Sequence, residues 1–203
     1  MSDMNFRVLR FDEISVERNG AETVARAIRA DSAVEQMLGV WMPMIGVSHN
    51  TVTALSNWSK EPPKANYKSP QITGVRSRLF DTLARGQTAC TAEGAYTHRW
   101  FMCAPENVKA LTDISAEAWP AMETDTAARI AGFWLDRERN AKGEAVVLMI
   151  VYYPSLTDWE GSRYWRPLPK GASQPNRQVW GGLFDKRREI TLDSYVTVHR
   201  LVK

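Results

Sequence analysis

Two stretches of the chain repeat one pattern, and that repeat constrains the fold more than any single element. Gly39-Val40-Trp41 opens an apolar run that reaches Ile45. A Gly46-Val47-Ser48-His49-Asn50 turn follows, and Val52 to Trp58 returns in loose alternation. Residues 38–58 therefore read as a β-hairpin. The second copy opens at Gly132-Phe133-Trp134-Leu135, turns through the charged stretch Asp136 to Gly143, and returns as Ala145 to Tyr153. Both copies place a Trp two residues after a Gly, and both end on aromatic residues.

The flanks of each hairpin also correspond. Before the first lie a strand from Phe6 to Phe11, extended by Ile14 and Val16, an Asn19-Gly20 turn, and a helix from Ala21 to Met37. Val24, Ala27, Ile28, Val34 and Met37 give that helix its spacing, with a notch at Asp31-Ser32. After it, Pro62-Pro63 breaks the chain, residues 64–70 form a loop, and Ile72 to Ala84 has helical spacing with Gly86 as its stop. Before the second hairpin, Ala95 to Cys103 reads as a strand, and a helix beginning at Pro105 carries Val108, Leu111, Ile114 and Trp119. Pro120 should end or kink that helix, with a second piece from Met122 to Ile130. Leu156 to Trp165 is a short helix capped by Ser155, and residues 166–175 form a proline-rich loop or lid. Gln178 to Arg187 is a helical turn, and Glu189 to Leu201 a closing strand. The fold class is α+β: tandem ferredoxin-like β-α-β-β units, residues 1–88 and 89–203. Two such sheets can pack face to face or join edge to edge into a barrel, which also hides their strand edges.

Composition bounds the partners. The chain has 26 basic and 23 acidic residues, too balanced for an electrostatic nucleic-acid binder. Its local basic cluster, Lys186-Arg187-Arg188, reads as a solvated turn. No signal peptide is visible at Met1 to Asn5, and the longest apolar run, Ala145 to Tyr153, cannot span a bilayer. A cytoplasmic protein without membrane contact is expected, with Cys90 and Cys103 reduced. Eight Trp point to a flat ligand pocket or an aromatic interface such as that of a homodimer.

The hairpin from Trp41 to Trp58 resembles the NIPSNAP family, whose members have a Gly-x-Trp strand, an acidic-Ile-Gly-x-x-Asn turn and a Val/Leu/Trp-rich return strand. Leu9-Arg10-Phe11 is similar to that family's first-strand signature, His98-Arg99-Trp100-Phe101 stands at the equivalent place in the second unit, and Arg188 to Asp193 resembles its closing strand. Met44 replaces the usual acidic residue, so no role of that carboxylate carries over. The resemblance implies the dimeric α+β-barrel superfamily. That superfamily holds cofactor-independent monooxygenases of aromatic polyketides, haem-degrading enzymes, lyases, isomerases and members without known activity, so fold alone does not fix the reaction.

The residues suggest a site in the second unit. Histidine is the usual general base near neutral pH, and the chain has His49, His98 and His199. Alternation puts Tyr96, His98 and Trp100 on one strand face. His98 is the expected acid/base, with Tyr96 beside it. Arg99 or Arg10 would steady an anionic oxygen. Trp100, Trp134, Tyr152, Tyr153 and Trp159 would line the pocket, with His49 at the hairpin turn. The same alternation sets Arg99 on the face opposite His98, so one pocket cannot hold both without a bulge. Phosphate-loop, nucleophile-elbow and zinc motifs are absent from the sequence, and no cofactor or metal is expected. The expected function is a cofactor-independent lyase or isomerase acting on a hydrophobic, aromatic small molecule. The alternatives are a non-catalytic binding barrel, a cofactor-independent monooxygenase, or a haem-binding protein using a lone His.

Overall fold

The computed structural model describes residues 8–31, 33–86, 88–168 and 170–203. The strand start expected at Phe6-Arg7, Ser32 of the helix notch and Pro169 of the proline-rich loop lie outside the described residues. In chain order the elements are β1 (Val8–Val16), α1 (Ala21–Arg29), β2 (Gln36–Ile45), β3 (Thr51–Trp58), β4 (Ile72–Arg85), β5 (Ala95–Cys103), α2 (Val108–Asp125), β6 (Arg129–Asp136), β7 (Ala145–Tyr153), α3 (Leu156–Gly161), α4 (Arg177–Glu189) and β8 (Thr191–Leu201).

The eight strands close into one barrel in the order β1-β3-β2-β8-β5-β7-β6-β4, and every neighbouring pair is antiparallel. Read around the barrel, the first four strands run β4-β1-β3-β2 and the last four run β8-β5-β7-β6. Each half thus has the order 4-1-3-2 of a ferredoxin-like sheet. The halves join where β2 meets β8 and β4 meets β6. The fold is α+β, as the repeat predicts, and the barrel closes within one chain.

Alternation along the strands divides the apolar residues between two faces. All eight strands contribute to the inner core, which holds Leu9, Phe11, Trp41, Leu55, Phe80, Tyr96, Trp100, Trp134, Leu148 and Leu201 among others. Outside, α1 covers the first half through Val24, Ala25 and Ile28. Helices α2 and α4 cover the second through Leu111, Trp119, Trp180 and Leu183.

The repeated Gly-x-Trp has a steric cause. A Cβ on Gly39 would lie 2.3 Å from the Trp41 ring, and one on Gly132 would lie 2.1 Å from the Trp134 ring. In β2 and β6 alike the indole folds back over the glycine two residues earlier, so only glycine leaves it room.

Three expected helices are corrected. Ile72 to Ala84 is the strand β4, not a helix. Its inward positions carry Arg78 as well as Phe80, so the period of two is masked by charge. Arg78 lies 4.8 Å from the Trp100 ring centroid and pairs with Asp136. The residues before Ile72 form no helix either, so β3 and β4 are joined by an irregular segment where the second half places α3 and α4. The helix expected from Ala21 to Met37 ends at Arg29, and Gln36 and Met37 already belong to β2. Pro120 does not end α2, which runs on to Asp125, and the separate piece expected from Met122 to Ile130 gives way to β6. Pro120 and Ala116 both face solvent, so the Ala116 carbonyl that the proline leaves without a helical donor can be hydrated. Ser155 does cap α3: its Oγ accepts from the Asp158 backbone N–H at 3.2 Å.

Candidate functional site

The second half encloses a cavity between the outer face of its sheet and its helices. Arg99 on β5 and Tyr153 on β7 form the floor, Trp119 on α2 and Phe184 and Arg187 on α4 form the walls, and Ser162 to Trp165 form the rim. Arg187 reaches the site because α4 presents one apolar face. Trp180, Leu183, Phe184 and Arg187 follow the i, i+3, i+4, i+7 spacing that turns toward a core. The basic cluster expected as a solvated turn is therefore corrected. Lys186 and Arg188 face water, while Arg187 is 8% exposed.

Arg187 lies over two aromatic faces, 4.3 Å from the Phe184 centroid and 4.8 Å from that of Phe101. Its Nη1 donates a long hydrogen bond, 3.4 Å, to Ser115 Oγ. Arg99 Nη2 donates to Tyr153 Oη at 3.4 Å, and the same oxygen lies 3.4 Å from Ser162 Oγ, whose own proton goes to the Trp159 carbonyl at 2.7 Å. Among the described residues, neither arginine has a carboxylate partner. Burial, joined by the nearby Arg99 charge, pushes the Arg187 pKa down to about 9. A guanidinium remains charged at neutral pH even so, and the site keeps two uncompensated positive charges. Two buried donors also lack partners here, Arg99 Nε and Trp119 Nε1. A cavity rich in donors and poor in acceptors is complementary to an anion.

The first half treats the matching arginine differently. Arg10 on β1 donates through Nε to Asp12 at 2.8 Å, through Nη1 to the Pro63 carbonyl at 2.8 Å, and through Nη2 to Tyr67 Oη at 3.2 Å. Asp12 also accepts from Tyr67 and Ser77, at 2.5 and 2.6 Å. Each of the three guanidinium nitrogens of Arg10 thus has a partner, and its charge is neutralised.

The structure separates the residues that the sequence groups together. Arg99 and Tyr153 line the outer cavity, and Trp159 stands beside it under Arg163, 4.5 Å from centroid to guanidinium. Tyr96, His98, Trp100 and Trp134 face the opposite way, into the packed barrel core. His98 stacks on His199 at 4.0 Å with an 18° interplanar angle, and Trp41 and Phe11 meet His98 edge-on at 5.1 and 5.9 Å. His98 Nε2 has no partner, and His199 Nε2 lies 2.8 Å from Thr197 Oγ1. Burial drives the His98 pKa well below the ordinary imidazole value, helped by His199, and lowers that of His199 to about 4. Tyr96 and Tyr152 sit at one mouth of the barrel, donating to the carbonyls of Ala92 and Glu93. Arg10 belongs to the first-half network, and His49 is exposed in the β2–β3 turn. Both cysteines are free thiols, with burial pushing Cys90 up to about 12.

Sequence reasoning missed Arg187 and Trp119. The signal for Arg187 was present, since it falls on the apolar stripe of its own helix. Trp119 gave only a core signal. A haem held through histidine does not fit the outer cavity, because no His lines it among the described residues. Nor do the described residues gather three potential metal ligands at one place. No described helix is long and apolar enough to cross a membrane.

No family model matches the chain, and no curated protein matches it. Solved structures do. An anthrone oxidase-like protein aligns over 98% of this chain and 92% of its own, with a TM-score of 0.63 at 10% identity. A ferredoxin-fold protein from Listeria monocytogenes, related to antibiotic biosynthesis monooxygenases, covers 100% of this chain and 99% of its own, with a TM-score of 0.54 at 9% identity. A monooxygenase-like protein from Listeria innocua covers 98% and 96%, with a TM-score of 0.54 at 8% identity. At such identities the likeness is one of fold. The chain shares the ferredoxin-like, dimeric α+β-barrel architecture, here built from a single polypeptide.

Proposed function

We propose that this α+β barrel is a small-molecule enzyme that binds an ionisable aromatic substrate as its anion between Arg99 and Arg187, and oxygenates it without a bound organic cofactor. The observation that carries this reading is the pair of arginines without counter-ions inside an aromatic cavity. A phenol, an enol or a methylene activated by a carbonyl becomes an oxyanion on losing a proton. Two desolvated guanidiniums favour that ionised form, and Trp119, Tyr153 and Phe184 offer faces for its ring. An activated methylene then reacts with dioxygen. Both C–H bonds of the methylene break, a C=O bond forms at the same carbon with one oxygen atom, and the other oxygen leaves as water with the two hydrogens. The substrate is oxidised to a ketone and supplies all four electrons that reduce the dioxygen, so no external reductant is needed.

Lyase or isomerase chemistry is the second reading. It needs a positioned base, and among the described residues the cavity is lined by hydroxyls and guanidiniums but by no His or carboxylate. That favours a reaction in which substrate acidity, raised by the arginines, replaces a protein base. The names of the fold neighbours point the same way, without assigning the activity. The free space between the walls is about 50 Å³, room for about two waters. A ring enters only if the Arg163–Trp165 rim moves outward, and Trp165, at 58% exposed, is the part least held by the core.

The Trp41–Trp58 hairpin and Leu9-Arg10-Phe11 support a narrower kinship with NIPSNAP proteins. The shared strand order supports two fused units meeting near residue 88. Exposed Ile45, Leu192 and Tyr195 support a homodimer, and a cytoplasmic setting accords with the free thiols. The test of the main reading is oxygen uptake with anthrone as the probe. The expected result is uptake faster than in buffer, one dioxygen per ketone, falling at least about 100-fold in Arg187→Met and Arg99→Met. No acceleration over buffer overturns oxygenation. Turnover of the same compound without oxygen would transfer the site to the lyase or isomerase class.

A further inference from the structure

The first half carries a second cavity, ten times larger in free volume than the one around Arg187, at about 510 Å³. It lies between α1, the start of β1 and the irregular segment between β3 and β4. The second half fills the corresponding connection with α3 and α4, and the first half leaves it open. The floor is apolar: Val24, Ile28 and Trp58 are each at most 5% exposed. The inner wall is the Arg10–Asp12–Tyr67 network, whose bonds tie Pro63 and Tyr67 of the irregular segment to β1. The wall is therefore fixed before any ligand arrives, and burial next to Asp12 keeps the Tyr67 phenol protonated.

The rim is cationic. Lys64 and Lys68 are exposed and have no carboxylate partner among the described residues; Lys68 Nζ reaches only Asn66 Oδ1, at 3.2 Å. Arg10 adds no net charge, since Asp12 cancels it. Asp31, which also lines the cavity, accepts from the Ala33 backbone N–H at 2.9 Å and keeps its negative charge, so the two lysines leave the lining with one net positive charge. An apolar floor under a rim of two free ammonium groups selects one ligand chemistry, and the volume lies within the range of small-molecule sites.

We infer that this cavity is a binding site for an amphipathic organic anion, its apolar body on Val24, Ile28 and Trp58 and its carboxylate or sulfonate at Lys64 and Lys68. The site is separate from the arginine cavity and independent of the reaction proposed there.

The probe is dodecanoate, titrated by isothermal calorimetry, with dodecyltrimethylammonium as the charge-reversed control. Saturable binding of dodecanoate is expected, weakened about tenfold or more in Lys64→Glu/Lys68→Glu. Ala27→Trp, at an exposed α1 position on the cavity wall, should block binding by bulk without entering the core. Thermal melts of both variants should match the parent chain, so that lost binding is not lost folding. Absent binding, binding indifferent to all three substitutions, or equal binding of the cationic control would each overturn the inference. Sensitivity to Ala27→Trp alone would also overturn it, by removing the anion selectivity.

Discussion

In β1, Arg10 is followed two residues on by Asp12; in β5, Arg99 is followed two residues on by Phe101. Both arginines project to the outer face of their half-barrel, Arg10 beneath the irregular segment after β3 and Arg99 beneath the helix layer that carries Arg187. In the first half the alternating position supplies a carboxylate, and the guanidinium becomes a structural rivet holding the irregular segment after β3. In the second half the same position supplies an aromatic ring, and a further cation, Arg187, lies over that ring instead. One half closes the charge of its arginine internally, while the other leaves Arg99 and Arg187 without a carboxylate partner among the described residues. A buried charge without a partner opposes folding, so its presence on the second half argues for function rather than for stability.

The comparison breaks first at Asp12. Asp12→Ala leaves Arg10 buried and unpaired, and should cost about 3–5 kcal/mol in denaturant unfolding. Arg187→Met removes an unpaired buried cation and should be neutral or stabilising. If the two variants lose similar stability, Arg187 is as structural as Arg10 and the contrast fails.

The next effect is acid sensitivity at the barrel centre, where His98 lies against Phe11 and Trp41 of the first half and stacks on His199. In the unfolded chain both imidazoles take up protons near pH 6.5, whereas folding holds His199 neutral down to about pH 4 and keeps His98 neutral well below its ordinary value. Between those limits the unfolded state binds more protons. Stability is therefore full above pH 6.5 and falls as the pH drops, by on the order of 3 kcal/mol at pH 4 from His199 alone. Urea midpoints measured from about pH 7 to 4 check this, and a His199→Leu variant should show a shallower slope. An unchanged slope would mean that the stacked pair does not govern the acid limit.

The smallest effect tests where the halves agree. Gly39→Ala and Gly132→Ala each drive a methyl into the indole two residues on, and each should cost about 1–3 kcal/mol. Equal losses in thermal unfolding would mark the two Gly-x-Trp strands as one device used twice. A loss confined to one half would show that the repeat has diverged in packing.

Much of the fold was legible because it is written locally. The two hairpins, the strands β1, β5 and β8, the start of α1 and the Ser155 cap all show in residue spacing, turn chemistry and capping, which act over a few residues. The strand β4 was not legible. Its apolar residues mimic a helix because its inner face must also carry Arg78, whose partner Asp136 is 58 residues away. The site was legible only in part. Alternation separated His98 from Arg99 correctly, but nothing local says which face meets a packed core and which a cavity. Arg187 looked solvated because its neighbours Lys186 and Arg188 are.

The sequence by itself determined the repeat, the α+β class and the faces of β5, since each follows from side-chain size and a period of two. Only the tertiary structure decided that the barrel closes, that the histidines pair inside it, and that Arg99 meets Arg187 from a distant part of the chain. Those outcomes depend on long-range pairing of β2 with β8 and of β4 with β6, and on α4 docking beside α2. No short window of residues holds the energy of such contacts, so no local pattern can record them.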